Sequence, residues 1–144
     1  MKQSRTTRRA AATSASEKPA VRRSRFPKAV STAIDAARDK KAFDIVVLDL
    51  RKAGGFTDFF VICTGANPRQ ISAIADAVRE ALKREGERPG VTEGTDASSW
   101  VLLDYFNFVV HVFSRECRSF YDLERLWGDA SRHEIPPAGA TLAS

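Results

Sequence analysis

Apolar residues recur along this chain with two different periods, and the switches between them mark out the elements. From Pro27 to Lys41, Val30, Ala33, Ile34 and Ala37 fall at helical spacing, with Pro27 near the first turn and Lys40 and Lys41 near the last, which predicts an amphipathic helix. Phe43 to Leu50 carries the unbroken run Ile45-Val46-Val47-Leu48, the pattern of a strand covered on both faces. The Gly54-Gly55 pair interrupts the chain before a second apolar run, Phe59 to Cys63, and so short a link predicts antiparallel neighbours. Gly65 closes that strand. Asn67-Pro68-Arg69-Gln70 then opens a helix with an Asn cap, Pro at the first helical position and Gln where a capping box needs it. Ile71, Ile74, Ala75, Val78, Ala81 and Leu82 share one stripe of this helix, and Gly86 stops it. Residues 86–98 predict a loop with one short strand near Val91.

The next stretch organises the rest. Residues 100–105 and 108–113 are two short apolar runs separated by Phe106 and Asn107, which predicts a β-hairpin. With those two residues in the turn, Tyr105 faces Phe108, Leu103 faces Val110 and Val101 faces Val112, a wholly apolar set that belongs to the core. The same register sends Trp100, Leu102, Asp104, Val109, His111 and Phe113 to the opposite face, a mixed surface suited to a covering helix or a partner. A final helix follows, on which Phe120, Leu123 and Trp127 share a face while Tyr121 lies one position off it. From Ser131 to Ser144 the chain, with Pro136-Pro137, predicts a flexible tail. The expected architecture is a mixed α/β domain over residues 26–130, with a four- to five-stranded sheet flanked by helices and no doubly wound dinucleotide fold.

Charge changes the picture at one end only. The net charge of +5 is concentrated in residues 1–28, which hold nine Lys or Arg against one acid, leaving 14 basic and 17 acidic residues in the remainder, a net of −3. Residues 1–25, with only Met1 and Val21 as large apolar groups, predict a disordered basic arm, either solvated or reaching for RNA phosphates. The apolar face that an organelle transit helix requires is missing from it. No run approaches the roughly 20 apolar residues that span a bilayer, and no signal-peptide core is evident, so a cytoplasmic protein without a membrane partner is expected.

Catalytic chemistry finds little support. Thr64-Gly65-Ala66-Asn67 precedes a helix but lacks the Gly-Lys-Ser/Thr ending of a P-loop and the spaced glycines of a dinucleotide site. Cys63 and Cys117 make neither a disulfide framework nor a metal set. Only His111 and His133 are available as bases; His133 falls in the expected tail and His111 reads as a satisfied or interface residue. Asp44 and Asp49, five positions apart, point to opposite sides of a regular strand and cannot clamp two cations, and Asp58 and Asp104 bound apolar strands. No cofactor or metal is expected.

Several separate stretches resemble the ribosomal silencing factor family, also called Iojap or RsfS. They are Lys40-Lys41-Ala42-Phe43-Asp44-Ile45-Val46-Val47-Leu48-Asp49, Thr57-Asp58-Phe59-Phe60-Val61-Ile62-Cys63-Thr64-Gly65, Ala73-Ile74-Ala75-Asp76-Ala77-Val78, Trp100-Val101-Leu102-Leu103-Asp104-Tyr105, Val109-Val110-His111-Val112-Phe113 and Phe120-Tyr121-Asp122-Leu123-Glu124-Arg125-Leu126-Trp127-Gly128-Asp129. Their order and spacing over about residues 28–130 carry the resemblance; Phe106 departs from it, since the family often has Gly in that turn. The resemblance implies a nucleotidyltransferase-like fold without the catalytic acids, and a binding role in place of chemistry. It further implies attachment to the large ribosomal subunit through ribosomal protein number fourteen, obstruction of small-subunit joining, repression of translation when nutrients are short, and homodimers in some members. A role in large-subunit assembly and a nucleotidyltransferase-like enzyme are the alternatives. The residues expected to meet the partner are Trp100, Leu102, Asp104, His111, Tyr121 and Trp127.

Overall fold

A computed structural model describes residues 26–94 and 99–137. The elements run α1 (Lys28–Asp39), β1 (Phe43–Asp49), β2 (Phe59–Thr64), α2 (Pro68–Arg84), β3 (Val91–Glu93), β4 (Trp100–Asp104), β5 (Phe108–Phe113), α3 (Arg115–Tyr121), α4 (Leu123–Leu126) and β6 (Ser131–Ile135). The strands form one mixed sheet in the order β3-β4-β5-β2-β1-β6, six strands where four or five were expected. As the short link predicts, β1 and β2 are antiparallel. The hairpin register also holds, Leu103 opposite Val110 and Val101 opposite Val112. β2 and β5 run parallel through the middle of the sheet.

Two expectations need correction. Residues 131–135 do not belong to a flexible tail: they form β6, antiparallel to β1, with Ile135 opposite Ile45 and Ser131 opposite Asp49. Ser-Arg-His-Glu-Ile carries almost no apolar signal because an edge strand is held by its hydrogen-bond ladder, with Ile135 packed against the core and the His133 ring edge-on to Phe26 at 5.5 Å. The remainder of that expected tail from Ala138 onward, and the expected basic arm over 1–25, lie outside the described residues. The second correction concerns the last helix. The chain breaks at Asp122, which takes a left-handed backbone (φ 45°, ψ 56°), so two short helices replace one and the stripe of Phe120, Leu123 and Trp127 is split. Asp tolerates this conformation better than most residues, which hides the break from a periodicity argument.

The sheet has a core on each face. Ile45, Val47, Phe59, Val61, Val101, Leu103, Tyr105, Phe108, Val110 and Val112 meet α1 and α2 on one side. Val46, Leu48, Phe60, Ile62, Val109 and Phe113 point to the other, where Leu123, Trp127 and the half-buried Trp100 and Leu102 cover them. Strands buried on both faces explain the unbroken apolar runs of β1, β2 and β5.

The start of α2 shows how local sequence fixes this arrangement. Asn67 Oδ1 accepts from the Gln70 N–H at 2.8 Å, while Gln70 Oε1 accepts from the Ala66 N–H at 2.6 Å rather than from the cap residue itself. Gln70 Nε2 donates to the carbonyls of Lys40 and Lys41 at 3.1 Å, tying the α1–β1 turn to α2. Gly65 permits this approach: a Cβ there would lie 2.8 Å from Ile71 Cγ1 and 3.2 Å from the Ile71 amide nitrogen. Gly65→Ala is therefore expected to displace the first turn of α2 and lower stability by about 1–3 kcal/mol in urea unfolding, the usual cost of overpacking. Unchanged stability would mean that the helix backs away without loss.

Candidate functional site

The side of the sheet that carries α3 and α4 holds a continuous set of rings. Pairing of Trp100 with Phe113 and Leu102 with His111 sets their side chains on this face. Ser114 then turns the chain into α3: its Oγ accepts from the Cys117 N–H at 3.1 Å and its own N–H donates to Ser99 at 2.7 Å. The result places Tyr121 over Trp100, with centroids 4.5 Å apart, and Phe120 edge-on to Tyr121 at 5.0 Å. Beneath them Trp100 lies 5.2 Å from Phe113 and 5.9 Å from His111; His111 meets Phe60 at 4.6 Å, and Phe60 meets Trp127 at 6.2 Å. The rings thus run from solvent, at Phe120, into the second core.

The six residues expected to meet a partner separate on this geometry. Tyr121 is 42% exposed. Trp100, Leu102 and Trp127 are half-buried and pack against the core. Asp104 sits at the far end of β4, where its Oδ1 accepts from the Phe106 N–H at 2.8 Å and holds the hairpin turn. Phe106 there adopts a positive φ of 77°, the conformation that favours glycine. His111 is only 4% exposed, so its ring is not on the surface; it faces the core because the shallow mixed face is covered by α3 and α4. Trp100 is likewise not free of the core, since its Nε1–H donates to His111 Nδ1 at 3.2 Å.

Sequence periodicity missed two exposed apolar groups on α3 and α4. Phe120 is 79% exposed and Leu126 71%, although a single straight helix would have buried Phe120 with Leu123. Only the turn at Asp122 turns them outward. A buried ion pair holds that turn. Arg118 Nη2 donates to Glu124 Oε2 at 2.6 Å and Arg118 Nη1 to Thr64 Oγ1 at 2.8 Å, anchoring both short helices to the end of β2. Burial, the largest influence on Glu124, pushes its carboxyl up, but the hydrogen bonds and charge of Arg118 outweigh it and hold the group below its usual value.

His111 gives the domain an acid sensitivity. Burial pushes its pKa down to about 3, so the folded ring stays neutral with Nδ1 as acceptor. An unfolded chain takes up a proton at that ring below about pH 6.5, whereas the folded one does not until far lower. Stability from this group is therefore complete above pH 6.5 and declines as pH falls, by about 2 kcal/mol at pH 5. Urea unfolding at pH 7.5 and pH 5 should show that decline in the native protein and a smaller one in His111→Gln. Equal declines in the two would contradict the assignment.

Several groups that catalysis could use are paired or buried. Burial raises the Cys63 thiol to about 12, which removes it as a nucleophile. Asp49 is bound by Arg51 at 2.9 and 2.7 Å, and the arginine's hydrogen bonds hold its carboxyl below the usual range. Asp44 sits in a bulge with φ 51°. Among the described residues no group of three or more His, Cys, Asp or Glu is placed to hold a metal ion, and no helix is long and apolar enough to cross a membrane.

A mixed six-stranded sheet with helices on both faces and exposed aromatic groups on one short helix defines an α/β domain. The chain belongs to the family described as ribosomal silencing factor during starvation, RsfS, which matches residues 23–143. It is 39% identical over 103 residues to the ribosomal silencing factor RsfS of Halalkalibacterium halodurans, covering 72% of this chain and 88% of that protein. It is 31% identical over 97 residues to the mouse mitochondrial assembly of ribosomal large subunit protein 1, covering 65% of this chain and 42% of that one. Among solved structures, protein CV0518 of Chromobacterium violaceum superimposes with a TM-score of 0.68 at 32% identity, over 81% of this chain and 92% of that one.

Proposed function

We propose that this protein silences translation by binding the large ribosomal subunit, through ribosomal protein number fourteen, and obstructing the small subunit. The observation that carries the reading to particular residues is the exposed end of the ring column, Phe120 and Tyr121 beside Trp100. Interfaces concentrate their energy in Trp, Tyr and Arg anchors surrounded by less critical neighbours. Trp100, Leu102 and Trp127 would border that anchor, while Asp104 and His111 would act indirectly, by shaping the hairpin turn and seating Trp100. The protein works by occupancy and not by catalysis, in the cytoplasm, without a cofactor. Co-sedimentation with purified large subunits, and not with small ones, is the expected result; binding to neither, or to small subunits alone, would overturn the proposal.

The mouse relative, whose name refers to ribosomal large subunit assembly, favours a second reading in which the same surface serves maturation of the large subunit. Stronger binding to precursor particles than to mature subunits would select it. A homodimer through the same apolar end is compatible with either role.

The basic residues of 1–25 add a separate attachment in this proposal, to ribosomal RNA. Deleting them is expected to flatten the dependence of log affinity on log salt by about 0.7–0.9 for each phosphate that the arm neutralises, with binding retained. An unchanged slope measured by interferometry would remove the arm from the interface.

A further inference from the structure

On the opposite face of the sheet from Trp100, a cavity of about 350 Å³ opens between the start of α1, the end of α2 and the hairpin turn. This is within the range of small-molecule pockets. Its apolar wall is Phe59 together with Tyr105 and Phe108, which stack at 4.9 Å with their planes 10° apart. Its polar lining is Asp58, Glu87 and Asn107. Tyr105 is 6% exposed, and its hydroxyl is buried without a hydrogen-bond partner among the described residues, a state that costs free energy unless something supplies one.

Both carboxylates are carried on fixed backbone. Asp58 donates its N–H to Asn107 at 3.0 Å and accepts from Leu50 at 2.8 Å, so the β1–β2 link and the hairpin tip are joined at this residue. Glu87 follows Gly86, whose φ of +85° closes α2; the Gly86 N–H donates to Lys83 and the Glu87 N–H to Leu82, each at 2.9 Å. That pair of bonds is the glycine-dependent helix stop that satisfies the last carbonyls. Neither acid forms an ion pair among the described residues. Two neighbouring cations are engaged elsewhere: Arg51 is paired with Asp49 and Arg79 with Asp76, although Arg51 acts on Asp58, and Arg79 on Tyr105, through space.

Two exposed carboxylates on separate elements, neither in an ion pair among the described residues, beside an apolar wall of stacked rings match a molecule with two cationic ends and an alkyl middle. We propose that this cavity binds a short free diamine, its ammonium groups held by Asp58 and Glu87 and its chain lying against Tyr105 and Phe108. The cationic ends would gain from the aromatic faces as well as from the acids. A lysine side chain offers the same ammonium group but only one, so a monoamine separates the two sources.

The test is titration of the full chain with 1,4-diaminobutane, followed by amide chemical shifts and calorimetry, against butylamine and against sodium chloride at equal ionic strength. Saturable shifts at Glu87 and Asn107 are expected, with butylamine at least about tenfold weaker, the consequence of losing one charged hydrogen bond. Asp58→Asn and Glu87→Gln should each weaken the diamine by about the same factor while leaving the melting temperature in place. Equal binding of butylamine, no effect of either charge-neutralising change, or shifts confined to the separate groove between α1 and α2, whose lining includes Asp35, Asp39, Asp76 and Glu80, would each overturn the proposal.

Discussion

Replacing Phe120 and Tyr121 together with alanine should weaken large-subunit binding at least about thirtyfold, the penalty of about 2 kcal/mol that follows truncation of an interface anchor. Phe120 stands out from α3, while Tyr121 packs on Trp100 and is 42% exposed; no residue of the helix is fully buried, so removal of the two should cost the domain less stability than truncation of a core ring. Trp100→Ala is a poorer test of the same surface. It would leave His111 Nδ1 as a buried acceptor without its donor and open a gap beside Phe113, so weaker binding would be mixed with weaker folding. Binding by interferometry and unfolding in urea, on the same samples, separate the two effects. Retained affinity in the double variant would place the interface elsewhere on the domain.

The largest expected effect on stability belongs to Arg118. Its guanidinium binds Glu124 and Thr64, and the Arg118 and Glu124 side chains are each less than 15% exposed. Arg118→Met should destabilise the domain by about 3 kcal/mol, because removing one member of a buried pair leaves the other charge uncompensated. Adding Glu124→Leu should restore much of that stability, since the desolvation cost of the carboxylate disappears with it. The pair matters to function through the turn at Asp122. Arg118→Met should release α3 from the sheet end and reduce large-subunit binding even at temperatures where the sheet is intact. A double variant less stable than the single one would show that the ion pair adds net stability beyond compensating its own burial.

Much of this was legible from residue pattern alone, and what was not has identifiable causes. Continuous apolar runs located β1, β2 and β5 because strands covered on both faces have no polar positions to interrupt them. The Asn67 cap and Gly86 stop located α2 because both act within four residues of chain. β6 escaped because what stabilises it is a ladder of backbone bonds to a strand more than 80 residues earlier, about which Ser131–Ile135 carries no local signal. In the site, alternation along the hairpin put Trp100, Leu102 and His111 on the correct face, but the depth of that face depends on where α3 and α4 settle. Their position rests on Arg118 reaching Thr64 across 54 residues of sequence. The same tertiary bond and the left-handed Asp122 decide that Phe120 faces water, which no helical periodicity expresses.

The most direct measurement is subunit joining. Purified large and small subunits are mixed with saturating native protein or with the Phe120→Ala, Tyr121→Ala variant and resolved by sedimentation. Joined ribosomes should disappear with the native protein, which should travel with the free large subunits, and should persist with the variant. Undiminished joining in the presence of bound native protein would contradict occlusion as the mechanism.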